Sequence, residues 1–163
     1  MQRRHALQLF GLAAAGSAGR VRAATAAREK FIGVWKLVSY DSHPAEGPVR
    51  QIYGPNPIGR ITYDKAGHMS AFLMRPGRKA PQSVRNATVE ELREVQGGFV
   101  AYFGTFDVDE GATTVIHHVV GALNPAWPGT DLKRTYQFQD DKLTLVAASG
   151  TGKIVLVWQK ESE

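Results

Sequence analysis

The sequence predicts an all-β fold, a closed antiparallel up-and-down barrel of about 8–10 strands with one short helix. Apolar and polar residues alternate over short runs throughout residues 27–163, and clusters of turn residues separate these runs. The 163 residues include 17 glycines and 8 prolines, which favours many short elements joined by turns. Closing the sheet removes exposed strand edges and leaves room for one small ligand. A β-sandwich is the competing architecture, but neither an inter-sheet disulfide nor regular Greek-key spacing favours it.

The strands can be placed in chain order from this alternation. The first strand is entered through Gly33, and the four-residue segment 64–67 predicts a hairpin loop. Helical character is confined to 88–95, where Thr88 and Glu91 have the spacing of a capping box. Residues 75–87, rich in Pro, Gly, Arg and Lys, form a loop that would be long enough to cover a pocket. The predicted strands are 34–40, a short one within 49–54, 59–63, 68–74, 100–108, 113–121, 132–138, 142–147 and 153–160.

Residues 1–26 have the parts of an export signal. The pair Arg3-Arg4 precedes a short, glycine-diluted apolar stretch, 7–18, and a small-residue exit follows at 24–26. This arrangement is typical of a twin-arginine leader. We expect residues 27–163 to form one domain in the bacterial periplasm or medium; the alternative is an N-terminal helix of the domain itself.

Composition excludes several function classes. Of the 20 Lys and Arg residues, four lie in 1–26, so residues 27–163 carry 16 basic and 15 acidic residues. The remaining charges are interleaved, and no basic stripe is present to follow a phosphate backbone, so we expect no nucleic-acid partner. The absence of cysteine excludes thiolate zinc sites, iron–sulfur clusters and a cysteine nucleophile. The longest apolar run is too short to span a bilayer.

Strand alternation assigns side chains to the barrel interior. Exposed Lys133 and Gln137 turn their alternate neighbours inward, and the same argument applies to the other strands. Pairing Tyr63 with His68 across the 64–67 loop places the even-numbered residues of 68–74 inside. The adjacent pair His117-His118 points to opposite faces, so one metal ion cannot bind both; we expect no metal site and no cofactor. The predicted ligand-contacting residues are Trp35, Tyr63, His68, Phe72, Tyr102, Phe106, His117, Trp127, Arg134 and Tyr136.

The motif Gly33-Val34-Trp35 and several later segments carry a family resemblance. Gly33-Val34-Trp35 resembles the G-x-W opening of lipocalins, and the segments together resemble the lipocalin-like domain family of bacteria and fungi over roughly residues 30–160. It implies a barrel with an internal pocket, in a family whose functions are diverse. Lipocalins often place an arginine against the first-strand tryptophan; this chain has Lys160, a weaker stacking partner. The other matching segments are 36–40, 59–63, 67–71, 101–106, 117–118, 124–130, Arg134 and 143–145.

Arg134 gives the predicted pocket a polar anchor. A guanidinium inside a barrel needs a partner, and no carboxylate is securely assigned to the interior, so an acidic or enolic ligand such as a fatty acid, retinoid-like acid or polyketide is one hypothesis. The alternative places Arg134 at the rim, bound to carbonyls or to Asp131 or Asp107. His117 is similarly either a pocket residue or a hydrogen-bonded core histidine. Tyr63 and Tyr102 are either pocket residues or packing residues with bonded hydroxyls.

Three functions remain open from the sequence. The favoured function is binding of a small hydrophobic ligand inside the barrel, with Trp127 in a rigid loop that either roofs the pocket or is a packed crossover. An isomerase, cyclase or dehydratase would use His117 as the base, with Tyr102 or Arg134 stabilising an oxyanion. A haem-binding barrel would use His117 or His68 as the iron ligand. Oligomeric state is not addressed by the sequence.

Overall fold

The computed structural model describes residues 26–83 and 85–162, so the predicted export signal lies, up to residue 25, outside the described residues. One antiparallel sheet of nine strands follows chain order apart from β2, and β1 pairs with β9 to close it. Eight strands form the barrel wall, while β2 pairs with the distal part of β1. The predicted closed antiparallel barrel is therefore confirmed. The strands are β1 Gly33–His43, β2 Arg50–Gln51, β3 Ile58–Tyr63, β4 His68–Met74, β5 Phe99–Asp109, β6 Thr114–Ala122, β7 Asp131–Gln139, β8 Lys142–Ser149 and β9 Gly152–Lys160.

Two helical segments accompany the barrel. Residues 26–31 form α1, and Val89–Gly97 forms α2. The predicted capping box begins α2: the Thr88 side chain accepts from the Glu91 N–H, and the Glu91 carboxylate accepts from the Thr88 N–H. Among the described residues, no helix has the length and apolar character needed to cross a membrane.

The loop at 75–87 is tied to α2. Arg75 forms an ion pair with Glu94 at 2.6 Å, and Arg78 donates to the carbonyl oxygen of Val95 at 2.6 Å. The Arg78 guanidinium also lies over the ring of Phe99, with its central carbon 5.3 Å from the ring centroid. These contacts hold the described part of the loop beside the start of β5.

The hairpin between β3 and β4 corrects one predicted face. Tyr63 pairs with Met69, and the loop is closed by a hydrogen bond from the Asp64 N–H to the His68 carbonyl oxygen. Gly67 adopts φ +98°, which permits a three-residue loop with a left-handed last residue instead of the predicted four-residue loop. A one-residue change of register reverses every side chain of a strand. The prediction that His68 and Phe72 face the interior is therefore wrong, and both are exposed.

A bulge in β1 causes a second reversal. Leu37 pairs with Trp158, but the next pair is Ser39 with Val157, so Val38 is the extra residue. Uninterrupted alternation along β1 would turn Ser39 inward; because of the bulge, Tyr40 turns into the barrel in its place.

Aromatic side chains fill one end of the barrel. Phe31 of α1 enters this end and makes edge contacts with Tyr63, Tyr136 and Phe138 at centroid separations of 5.3, 5.0 and 4.9 Å. Its carbonyl oxygen accepts a 2.8 Å hydrogen bond from the Trp35 indole. We call this set the aromatic cluster, and its members are Phe31, Trp35, Tyr63, Phe106, Tyr136 and Phe138.

The aromatic cluster restricts where a ligand could lie. Four residues predicted to contact the ligand, Trp35, Tyr63, Phe106 and Tyr136, belong to it and pack against one another. As expected, Lys160 lies over Trp35, with its ammonium 5.2 Å from the ring centroid. The interior is therefore packed at the end closed by α1, and any cavity must lie towards the other end.

Candidate functional site

A cavity of about 270 Å³ occupies the half of the barrel opposite the aromatic cluster. Side chains from seven strands and the loop after β6 converge on it, because inward positions alternate along each strand. Its wall is mainly apolar, and its polar groups are hydroxyls, indole N–H groups and one guanidinium. The lining residues are Tyr40, Ile61, Leu73, Val100, Tyr102, Trp127, Leu132, Arg134, Leu145, Ala147, Ala148, Ser149, Ile154, Leu156 and Trp158.

Arg134 is the charged residue of this wall. One guanidinium nitrogen donates to the Lys133 carbonyl oxygen at 2.9 Å, a carbonyl contact of the kind that the rim alternative predicts. The ion pairs of that alternative do not form: Asp131 and Asp107 instead contact His118, at 2.6 and 3.1 Å. Within 26–83 and 85–162, no carboxylate forms an ion pair with Arg134. Its remaining donors are therefore available for an acceptor in the cavity.

His117 lies between two tyrosines below the cavity. Its Nε2 is 2.9 Å from the Tyr63 hydroxyl oxygen and its Nδ1 is 3.0 Å from that of Tyr102. The side chain is 0% exposed and does not line the cavity. Burial lowers the pKa of His117 to about 3, and the nearby Arg134 charge acts in the same direction. The imidazole is therefore neutral, with one nitrogen donating and the other accepting.

This geometry affects the catalytic and haem hypotheses. Both ring nitrogens of His117 are engaged, so proton transfer between His117 and a ligand would have to pass through the Tyr102 hydroxyl. His68, the other candidate haem ligand, lies outside the barrel. Neither histidine presents an unbonded nitrogen to the cavity, so these residues do not fit a haem.

The two tyrosine hydroxyls remain protonated. Burial raises the pKa of Tyr102 to about 12, although the Arg134 charge opposes this shift. Burial also raises the pKa of Tyr63 well above its ordinary value. Both side chains are thus hydrogen-bonding groups near neutral pH rather than phenolates.

Trp127 forms the boundary between the cavity and a second space. Its ring meets Tyr102 edge-on, with centroids 5.6 Å apart and an interplanar angle of 85°. On its other side a vestibule of about 340 Å³ lies between α2, the segment after β2 and the Trp127 loop. The loop is held by hydrogen bonds from the Gly129 N–H to the Val119 carbonyl and from the Val119 N–H to the Thr130 carbonyl. Trp127 therefore roofs the cavity.

The predicted ligand set divides into three groups. Tyr102, Trp127 and Arg134 line the cavity, and His117 lies behind this wall, hydrogen-bonded to Tyr102. The remaining residues lie in the aromatic cluster or on the outer surface. Leu156 and Trp158, at alternate positions of β9, also line the cavity, as strand alternation requires. Tyr40 was missed because only the bulge in β1 turns it inward.

A more open groove and the second histidine of the adjacent pair lie on the outer surface of the barrel. A groove of about 500 Å³ beside Ile58 and Phe72 is open to solvent. His118 points outward as predicted, on the opposite face from His117. In the part of the chain that the structure describes, no group of three or more His, Cys, Asp or Glu residues is arranged to hold a metal ion.

Comparisons with known proteins agree with this architecture. A family model described as "Lipocalin-like domain" matches residues 32–161. The 4'-hydroxy-3'-methoxypropiophenone carrier protein ppsC of Aspergillus oryzae is 36% identical over 85 residues, covering 47% of this chain and 77% of that protein.

Solved structures with similar folds have low sequence identity. A lipocalin-like protein from Bacteroides uniformis matches 81% of this chain and 99% of its own, with 15% identity and a TM-score of 0.45. An uncharacterized protein from Bacteroides eggerthii matches 80% of this chain and 99% of its own, with 13% identity and a TM-score of 0.44. Because the family model spans the whole barrel, from the residue before β1 to the residue after β9, the chain belongs to the lipocalin-like domain family.

Proposed function

We propose that this protein binds and carries a small, mainly apolar molecule that presents a hydrogen-bond acceptor or an anionic group to Arg134. The observation that carries the proposal is the combination of a mainly apolar cavity inside the barrel with a guanidinium that has no carboxylate partner among the described residues. Burial of apolar surface would supply most of the affinity, at roughly 25 cal/mol per Å². Arg134 would fix the orientation of the polar end.

The cavity volume narrows the ligand class. An engineered apolar cavity of roughly 150 Å³ takes one benzene, and typical ligand pockets span about 300–1,000 Å³. A volume of about 270 Å³ lies between these and fits a single substituted ring or a skeleton of similar size. Retinoid-like acids and long-chain fatty acids, two of the classes considered from sequence, are less well accommodated.

The relative from Aspergillus oryzae supports this size and polarity. Its name describes a carrier of 4'-hydroxy-3'-methoxypropiophenone, a one-ring aromatic ketone. A ketone oxygen is an acceptor of the kind that the cavity's donors require. We therefore propose a small aromatic ketone or aromatic acid as the ligand class.

The experiment has two parts. Native mass spectrometry of the purified protein should show a co-purifying species of one-ring size. Calorimetric titration with 4'-hydroxy-3'-methoxypropiophenone should then show saturable binding with one site per chain. Binding that is absent for this ketone and for small aromatic acids alike, with no co-purifying molecule, would refute the proposal.

We also propose that the protein functions after export, in the periplasm or medium. The supporting features are the paired arginines, the weakly apolar stretch and the Ala24-Thr25-Ala26 exit. Expression of the full chain in a bacterium with a twin-arginine pathway should yield a processed periplasmic form that begins near Ala27. Replacing both Arg3 and Arg4 by Lys should retain the protein in the cytoplasm. A wild-type chain that stays cytoplasmic and unprocessed would contradict this proposal.

A further inference from the structure

Three buried side chains form a continuous hydrogen-bonded chain that ends at the cavity. Tyr63 contacts His117 Nε2, and His117 Nδ1 contacts Tyr102, which is part of the cavity wall. Tyr63 and His117 are 2% and 0% exposed, so water does not replace either contact. The chain thus links a hydroxyl inside the aromatic cluster to a hydroxyl at the ligand site.

The surroundings of Tyr63 determine which group donates and which accepts in each of these hydrogen bonds. Among the described residues, the Tyr63 hydroxyl has no hydrogen-bond partner other than His117. If His117 donated from Nε2, the hydroxyl hydrogen of Tyr63 would be buried without an acceptor, which is unfavourable. If Tyr63 donates to Nε2, every buried group at this end is satisfied. Because the neutral ring carries a single N–H, that hydrogen must then be on Nδ1.

The hydrogen on His117 Nδ1 determines the role of the Tyr102 hydroxyl at the cavity. The Nδ1–H of His117 donates to the Tyr102 oxygen, which leaves the Tyr102 hydroxyl hydrogen free of His117. Within the described residues, Tyr102 has no second hydrogen-bond partner, and its pKa of about 12 keeps the hydroxyl protonated. Its hydrogen is therefore directed towards the contents of the cavity, on the same wall as Arg134.

We infer that the Tyr63–His117–Tyr102 chain holds the Tyr102 hydroxyl as a donor and thereby selects ligands that present an acceptor, such as a ketone, carboxylate or phenolate oxygen. This inference rests on the proposed function and assigns the roles within it. Tyr102 contacts the ligand, whereas Tyr63 and His117 are positioning residues that act through Tyr102. A ligand whose polar group can only donate would leave two donors facing each other in a buried site.

A thermodynamic cycle tests this selection. Propiophenone and propylbenzene share a carbon skeleton and differ in the replacement of a carbonyl by a methylene. The ratio of their dissociation constants, propylbenzene over propiophenone, should fall about threefold to tenfold in Tyr102→Phe, as expected for one lost hydrogen bond. It should also fall in Tyr63→Phe, since the His117 tautomer is then no longer fixed. Comparing ratios cancels the different hydration of the two probes.

Tyr136→Phe is the matched control. Tyr136 belongs to the aromatic cluster, does not line the cavity and has no hydrogen bond to His117. Its substitution removes a hydroxyl from the same barrel and should leave the ratio unchanged. If Tyr102→Phe leaves the ratio unchanged while both probes bind, the inference is overturned and the proposed function stands. If the wild-type protein binds neither probe, nor 4'-hydroxy-3'-methoxypropiophenone, nor a small aromatic acid, and no molecule co-purifies with it, the proposed function fails and takes the inference with it.

The tautomer is tested without any ligand. In protein labelled with ¹⁵N-histidine, His117 should show a protonated Nδ1 and an unprotonated Nε2, with its signals assigned from their loss in His117→Gln. In Tyr63→Phe, the Nε2 signal should change because its hydrogen-bond donor is gone. A wild-type ring protonated on Nε2 would overturn the inference, whatever the probes show.

Discussion

Replacing Arg134 by Gln should weaken the binding of aromatic acids far more than that of the corresponding alcohols. Arg134 lines the cavity and, within the described residues, forms no ion pair. A hydrogen bond to a charged group contributes about 1.5–3 kcal/mol, which corresponds to roughly 10- to 150-fold in affinity. Because Arg134 is half-buried, solvent screening places the expected loss near the lower end, about tenfold. The loss for an alcohol should be about threefold or less.

Calorimetric titration with hydrocinnamate and hydrocinnamyl alcohol at about pH 7 measures this difference, because the acid is then ionised. The two probes share a ring and chain length and differ in the terminal group. Lys133→Gln is the matched control, since Lys133 neighbours Arg134 on β7, carries the same charge and faces solvent. It should leave both affinities unchanged.

Unfolding measurements separate a binding role from a structural one. Without ligand, Arg134→Gln should be about as stable as the wild type, because no ion pair is lost and the removal of a partly buried charge offsets the lost hydrogen bond to the Lys133 carbonyl oxygen. An equal loss of affinity for acid and alcohol would refute the assignment of Arg134 as the anion-recognising group. A large loss of stability in the ligand-free variant would show that Arg134 serves the fold instead.

Three further predictions follow from other parts of the barrel. Gly104→Ala should lower the unfolding free energy by about 1–3 kcal/mol in urea titrations, because the new Cβ would clash with the carbonyl oxygen of His118. Gly97→Ala is the control and should be tolerated, because a Cβ at Gly97 would have open space around it. Trp127→Ala should join the cavity and the vestibule into one longer space. Titrations should then show weaker binding of hydrocinnamate and stronger binding of decanoate. An unchanged preference for ligand chain length would contradict the assignment of Trp127 as the roof. Hydrogen bonding to Asp131 raises the pKa of His118, so its contribution to stability should be complete below about pH 6.5 and decline as pH rises through the folded-state pKa. Melting temperatures of wild type and His118→Gln should therefore converge at high pH, and a constant difference would contradict this.

Local sequence patterns were sufficient for the barrel itself. Period-2 alternation placed the strands close to their observed bounds, and the spacing of Thr88 and Glu91 located the start of α2. These features depend on neighbouring residues and on burial of one strand face, so they are readable without coordinates. The inward direction of Arg134 and the outward direction of His118 followed from the same alternation.

The site could be predicted only in part, because small backbone irregularities decide which face of a strand is inside. A left-handed Gly67 shortened one hairpin loop and turned His68 and Phe72 outward, and the bulge after Leu37 turned Tyr40 inward. Each event moves a single residue yet reverses every side chain beyond it.

The sequence alone determined the closed antiparallel sheet and its mainly apolar interior, because these follow from patterns repeated along the chain, and it left Arg134 either inside the barrel or at its rim. Tertiary structure decided how that interior is divided. Phe31 enters from α1 and completes an aromatic cluster with side chains distant in sequence, so half of the barrel is packed and half is a cavity. It also decided that His117 contacts two tyrosines and not a ligand. Such contacts join residues from separate strands, and their distances are set only when the sheet closes.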